Sequence, residues 1–224
     1  DRATDGAAIG VSWGATLSEL AMALEARKPE PRRITVIPLL GGQGQASRDL
    51  QVNGIASRVA SAFGGVNVLL HAPSTVDTAE AKQMLMRDSA IRQVVEAWNR
   101  LDLAIVGIGA FEPPSTLLAE GGFSENELSE LKAAGAVGDM CMNFFDTRGR
   151  QVVTSLTDRL IGITFEQLLE VKCVVAVAGG VNKAAAVAGA LRSRIIDVLV
   201  IDDTTARAVL TGTTESKGEA FKCR

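Results

Sequence analysis

Hydrophobic residues fall into two rhythms along this chain. Short apolar runs end at glycine or proline, and between them apolar positions recur every three to four residues, the spacing of one helix face. Ala7–Trp13 is the first run and Gly14 breaks it; Thr16–Ala26 follows with Leu17, Leu20, Ala21 and Leu24 at helical spacing. Ile34–Leu40 reads as a second strand, Gly41, Gly42 and Gly44 as a turn, and the stretch from about Arg48 to Phe63 as a helix. Val66–His71 predicts a third strand, closed by Pro73, and helices are predicted over about Thr78–Met86 and Ala90–Leu101. Asp102–Gly109, with AIVGIG at its centre, is the clearest buried strand. Ser124–Ala134 is a helix whose Ser124 and Glu127 have capping-box spacing. Ala136–Asp146 reads as a strand or hairpin arm ending at Thr147-Arg148-Gly149, and Leu160–Thr164 as its neighbour, before a short helix over Phe165–Leu169. The last predicted elements are the strand Val174–Ala178, the turn Gly179-Gly180, the helix Asn182–Arg192, the strand Val198–Ile201 and the helix Thr204–Leu210.

Continuous apolar strands alternating with helices predict an α/β fold, a mainly parallel sheet covered on both faces. No Pro/Ser-rich linker divides the chain. It reads as one domain over residues 1–212, with an excursion between Phe111 and Leu160 and a polar, frayed tail over residues 213–224. In such sheets ligands sit at the carboxyl ends of the strands, beside helix N-termini.

Composition narrows the function. Of 224 residues 47% are hydrophobic and 22% charged, which excludes intrinsic disorder as the main state. A net charge of -3 does not hold a domain on DNA by its own field, and 4% aromatic residues argues against a base-stacking surface. Cys141, Cys173 and Cys223 are widely spaced and His71 is the single histidine, so neither a structural zinc site nor a disulfide framework is expected. Cysteine usage points to a reducing, cytoplasmic setting. The longest apolar tract, Cys173–Leu191, is interrupted by Gly179, Gly180, Asn182 and Lys183, so no membrane span is expected. No cofactor and no metal are implied.

Three strand-end loops have the residues of an anion site. Ser12-Trp13-Gly14-Ala15-Thr16 leads into a helix, and its amides and hydroxyls suit a phosphate, although Ser12 or Thr16 serves equally as a helix cap. Gly41-Gly42-Gln43-Gly44 lacks the GK[ST] of a phosphate-cradling Walker loop; it and Gly107-Ile108-Gly109, with Glu112 in place of the glycine a nicotinamide-binding turn requires, read more simply as turns. Gly179-Gly180-Val181-Asn182-Lys183 offers Asn182 as an N-cap, which puts the Lys183 cation in a first helical turn, against the dipole unless an anion shares the site. Asp139 lies between apolar neighbours, either to accept hydrogen bonds from ligand hydroxyls or to cap a turn. Asp202-Asp203-Thr204 is a capping arrangement. His71 reads as a partly buried, hydrogen-bonded histidine, without a catalytic partner at recognisable spacing.

Taken in order, GVSWGATL, PLLGGQG, HAPSTVD, DLAIVGIGAF, GAVGDMCMNFFD, VVAVAGGVNKAAAVAGAL and DVLVIDDTTARAVL resemble the effector-binding domain of SorC/DeoR-type bacterial transcriptional regulators, from about Ile9 to Leu210. The resemblance implies a Rossmann-like domain related to sugar-phosphate isomerases and deaminases, with a phosphorylated sugar as effector. It implies operator DNA as a partner through an N-terminal helix-turn-helix domain that is absent from this chain, and a homodimer or homotetramer. Carried over by residue, Ser12, Gly14, Ala15 and Thr16 match the family's phosphate loop, Gly41 and Gly42 its second glycine turn, and Gln51 a polar position on the following helix. Asp139 matches an acidic residue that meets sugar hydroxyls, and Lys183 a lysine at the ligand's charged end. Leu40 stands where some members carry a basic residue, which favours a monophosphate. The expected role is therefore a sensor and not a catalyst. An isomerase or deaminase on the same fold is the alternative, because fold does not settle function.

Overall fold

The computed structural model describes residues 3–44, 47–111 and 115–215. Its strands are β1 (Ala8–Val11), β2 (Thr35–Pro38), β3 (Val66–Asn67), β4 (Leu103–Gly107), β5 (Gly109–Ala110), β6 (Gly138–Met140), β7 (Asn143–Phe145), β8 (Val174–Ala178) and β9 (Val198–Ile201). Its helices are α1 (Ala15–Arg27), α2 (Val52–Ala62), α3 (Ala79–Leu85), α4 (Ser89–Ala97), α5 (Thr116–Glu120), α6 (Glu125–Ala133), α7 (Phe165–Glu170), α8 (Ala184–Arg192) and α9 (Asp203–Glu215).

Six strands form one sheet in the order β3-β2-β1-β4-β8-β9, every pairing parallel. The chain starts in the middle at β1, winds outward to β3, then returns to place β4 on the other side of β1. This is the doubly wound order, whose direction reverses between β1 and β4, and the loops leaving those two strands diverge to open a crevice. One sheet face carries Ile9, Val11 and Leu103 against Leu17 and Ala21 of α1 and Ile55 and Val59 of α2. The opposite face carries Ala104, Val106 and Ala176 in a larger cluster with Trp98, Leu168, Val187 and Ala190. Burying each larger aliphatic side chain contributes about 1.5–3 kcal/mol, so the two clusters together fix the strand ends that matter for function. Trp98 also donates its indole N–H to the Pro38 carbonyl at 2.9 Å, so this buried donor is paired.

The predicted excursion forms a second, three-stranded antiparallel sheet, β5-β6-β7, reached directly from the end of β4. Its hairpin turns at Cys141-Met142, both left-handed (φ 54° and 61°), the backbone of a two-residue hairpin loop whose twist matches its strands. Leu160–Thr164, expected beside this hairpin, is bridged elsewhere, from Leu160 to Thr75 and from Gly162 to Leu40.

Five other local expectations change. The third strand is only Val66–Asn67, because the Asn53 side chain takes both backbone groups of Leu70, accepting from its N–H at 3.1 Å and donating to its C=O at 3.0 Å. That side-chain clamp replaces further ladder bonds. His71 is consequently exposed, not partly buried. The helix expected from Arg48 is interrupted: Arg48–Leu50 is a 3-10 turn, Gln51 is extended (φ -67°, ψ 131°), and α2 begins at Val52. At the other end Val181–Lys183 is a 3-10 turn, so Lys183, not Asn182, is the N-cap of α8. The expected tail begins inside α9, which continues to Glu215; residues 216–224, Cys223 among them, lie outside the described residues.

Candidate functional site

The three glycine-bearing loops proposed from sequence lie at the carboxyl ends of the parallel strands, and they differ in where their backbone N–H groups point. In the first, Ser12-Trp13-Gly14-Ala15-Thr16, Gly14 is the N-cap of α1 with φ 105°, a conformation open to glycine, and no side chain caps the helix. The sequence alternative of a Ser12 or Thr16 cap is therefore not used. Ser18 N–H bonds back to Gly14 C=O at 3.0 Å, while the amides of Ala15, Thr16 and Leu17 have no partner among the described residues. The first turn of α1 carries no acidic side chain. An uncapped helix N-terminus with its partial positive charge facing a crevice is an anion-binding arrangement.

The second loop is spent on the fold. Gly41 N–H donates to Ile161 C=O at 2.9 Å and Gly42 N–H to Ala72 C=O at 2.8 Å. Gln51 clamps the next residue, accepting from Gln43 N–H at 3.2 Å while its own amide donates to Gln43 C=O. Gly41, Gly42 and Gln51 thus stand together, outside the lining of the crevice.

The third loop holds an anion of its own. Gly180 N–H points at Asp202 Oδ2 (3.1 Å) and Thr205 Oγ1 (2.9 Å). Asp202 also accepts from Thr205 N–H at 2.8 Å, the N-cap of α9 expected from sequence. Bonds from the Thr205 hydroxyl and the two amides hold the Asp202 carboxyl down at about 2. Lys183 from this turn reaches the crevice instead.

The crevice has a volume of about 460 Å³, mouth included, and lies between the ends of β1 and β4. Ser12, Gly14, Ala15, Thr16, Asp139 and Lys183 all line it, so six of the nine residues named from sequence converge on one cavity. Gly107, Gly109, Thr116 and Cys141 line it too, and sequence reasoning missed them as site residues. Cys141 carried no sequence signal: it sits in the left-handed hairpin turn after β6, where strand alternation does not apply, and only the turn brings it beside Asp139.

Asp139 is 4% exposed. Its Oδ2 accepts the Met142 N–H at 2.8 Å across the hairpin turn, while no described residue bonds Oδ1. The turn-capping reading is met by one oxygen, and the other lies at the crevice with no protein donor among the described residues. Burial pushes its pKa up to about 6, against the opposing pull of the Met142 amide and the Lys183 charge. Burial lowers the Lys183 ammonium, and Asp139 counters that. Cys141 is raised to about 12 by burial, despite a hydrogen bond with Ser12, so it stays a thiol at neutral pH and is a poor nucleophile. Among the described residues no group of three or more His, Cys, Asp or Glu side chains is placed to hold a metal ion, and no helix is long and apolar enough to cross a membrane.

Residues 2–211 match the Sugar-bind family, described as "Putative sugar-binding domain". The chain belongs to this family. The domain is similar to the deoxyribonucleoside regulator of Bacillus subtilis, 31% identical over 206 residues that make up 92% of this chain and 65% of that protein. Among solved structures, a DeoR family transcriptional regulator from Listeria monocytogenes superposes with a TM-score of 0.83 at 31% identity, covering 91% of this chain and 79% of that one. The full-length sorbitol operon regulator SorC from Klebsiella pneumoniae superposes with a TM-score of 0.83 at 26% identity, covering 92% and 66%. The curated relatives are transcriptional regulators, and the chain spans less than two-thirds of their length. Its sheet order and its seven sequence segments agree with a Rossmann-like sugar-binding domain of the SorC/DeoR type.

Proposed function

We propose that this sugar-binding domain senses a phosphorylated sugar, and that occupancy controls operator binding by a longer regulator. The observation that carries the reading is the open N-terminus of α1, whose free amides share one crevice with the Lys183 cation and the Asp139 carboxyl. A phosphate fits beside Gly14 against the free amides of Ala15 and Thr16 and the hydroxyls of Ser12 and Thr16, with Lys183 adding a charge-assisted bond. Asp139 Oδ1 accepts from a sugar hydroxyl; it repels the phosphate, and so orients the ligand. Gly41, Gly42 and Gln51 hold the neighbouring loop. With Leu40 ahead of the paired glycines, that end lacks a cation for a second phosphate, which favours a monophosphate.

The domain extends over residues 1–212 and, with α9, on to Glu215; the polar tail follows, and the operator is read by a separate N-terminal domain. Symmetric operators are read by symmetric proteins, so a homodimer or homotetramer in the cytoplasm is the working assembly, to be checked by light scattering. The role is a sensor because ligand binding shifts a regulator only through unequal affinity for its two states, and that requires no turnover.

A thermal-shift screen of aldose and ketose phosphates, with inorganic phosphate and the unphosphorylated sugars beside them, tests the reading. A ligand at 100 times its Kd adds about 2.7 kcal/mol of stability. The bound sugar phosphate should be recovered chemically unchanged. Failure of every phosphorylated compound to shift the melting temperature refutes the sensor reading, and conversion of the ligand refutes the non-catalytic side of it.

A further inference from the structure

Gly109 lines the crevice and is paired directly with Asp139 across β5 and β6. Residues directly opposite in an antiparallel pair project their side chains to the same face, so anything borne by residue 109 stands beside the carboxyl of Asp139. A Cβ at 109 would lie 2.0 Å from Asp139 Oδ1, well inside contact distance, while Leu117 Cβ stands at 3.6 Å. The backbone of Gly109 is not left-handed, so an alanine there brings no strain of its own. The conflict is with one atom, and it is the carboxylate oxygen that the Met142 amide leaves free.

We propose that Gly109 is a positioning residue for the sugar end of the site: its missing side chain is the space in which Asp139 Oδ1 is held ready to accept a ligand hydroxyl. Oδ2 is anchored by Met142 N–H, and Oδ1 takes the place a side chain at 109 would fill. A short carboxylate side chain is the cheap partner to move in such a clash, since the alternative is to pull the paired strands β5 and β6 away from each other. Gly109→Ala therefore swings the carboxyl off its seat and leaves the sheet intact. The charged and titratable groups facing Asp139 are the Lys183 ammonium and the Cys141 thiol, and neither is altered by the substitution.

The ligand role rests on the sugar-phosphate reading above, but the geometry can be tested without any ligand. Asp139 is followed by carboxyl carbon-13 NMR in the ligand-free protein and in Gly109→Ala, with Asp139→Asn to assign the signal. The expected midpoint is about 6 in the parent chain and about one unit lower or more in Gly109→Ala, because a displaced carboxyl regains solvent. Inorganic phosphate serves as the binding probe for the α1 end and should bind both proteins equally. An unchanged Asp139 midpoint in folded Gly109→Ala overturns the proposal. If Gly109→Ala does not fold, the double variant Gly109→Ala/Asp139→Gly decides: recovery of folding supports a clash with the carboxyl, and continued failure overturns it. Absence of phosphate binding to the parent chain would count against the sensor reading and leave the midpoint comparison standing.

Discussion

Two strand-to-helix turns at the same end of the same sheet look alike in sequence and do opposite things. The turn after β1 passes through Gly14 (φ 105°) into α1, and the turn after β8 passes through Gly180 (φ 108°) toward α8. Both are short and polar and place amides at a strand end. After β8 the Gly180 amide is already bonded to Asp202 and Thr205 of the neighbouring turn. After β1 the first-turn amides of α1 meet an open crevice. An anion-suited turn is thus a site only where the protein has not supplied the anion itself.

The most severe way to break the contrast is to give the first turn the second turn's carboxylate. Ala15→Asp puts an acidic side chain at the first residue of α1, where none now stands. Calorimetric titration should show sugar phosphate and inorganic phosphate weakened by about a thousandfold, since at least two charge-assisted bonds of about 1.5–3 kcal/mol each are lost. Denaturant melts should show the ligand-free protein stabilised by about 0.3–1 kcal/mol through the helix dipole. Unchanged phosphate affinity would move the anion away from this turn.

The next effect falls on stability. Asp139 has its folded pKa raised to about 6, above an unfolded value of about 3.9, so its stabilising contribution is complete below about pH 4 and is lost as pH rises through 6. The shift of about two units corresponds to about 3 kcal/mol at 1.36 kcal/mol per unit. Asp139→Asn should therefore be more stable than the parent at pH 7.5 by up to about that amount, with the difference vanishing near pH 4. Urea melts across this range would show it, and a constant difference would remove Asp139 as the source.

Lys183→Ala separates the two turns at their shared cation. The variant should bind sugar phosphate about ten- to a hundredfold more weakly, as expected for one charge-assisted contact of about 1.5–3 kcal/mol. Its ligand-free stability should equal or slightly exceed that of the parent, because burial disfavours the charged ammonium. Equal affinities would leave Lys183 in the crevice lining without a contact to the ligand.

The smallest effect belongs to the closed turn. The Asp202 carboxyl is held at about 2, below its unfolded value, so its contribution is present above about pH 4 and fades as pH falls toward 2. Asp202→Asn should melt at a lower temperature than the parent at pH 7 and lose less on acidification to pH 3. Sugar-phosphate affinity should stay unchanged, because this turn offers its amide to the protein and not to the crevice.

Periodicity and glycine punctuation in the sequence alone determined the alternation of parallel strands and helices, the excursion after β4 and the identity of the strand-end loops. Those are local properties: apolar runs must be buried, and turns need residues that permit them. Local patterning also placed the Asp202 cap and the Ser124 capping box, the latter closed in α6. Asp139 and Lys183, which are 44 positions apart in the chain, stood out by their local settings, and the resemblance of ordered segments assigned them to one site. What only the tertiary structure decided was the destination of each loop's hydrogen bonds. Gly41 and Gly42 spend theirs on Ile161 and Ala72, Gly180 on Asp202, and Leu70 on Asn53, all distant in sequence. Tertiary structure also brought Gly109 and Cys141 to the crevice, by pairing β5 with β6 and turning the hairpin beside β1. A backbone N–H is identical at every non-proline residue, so no sequence pattern marks which ones remain free; only the packed chain leaves some amides partnered and others open to a ligand.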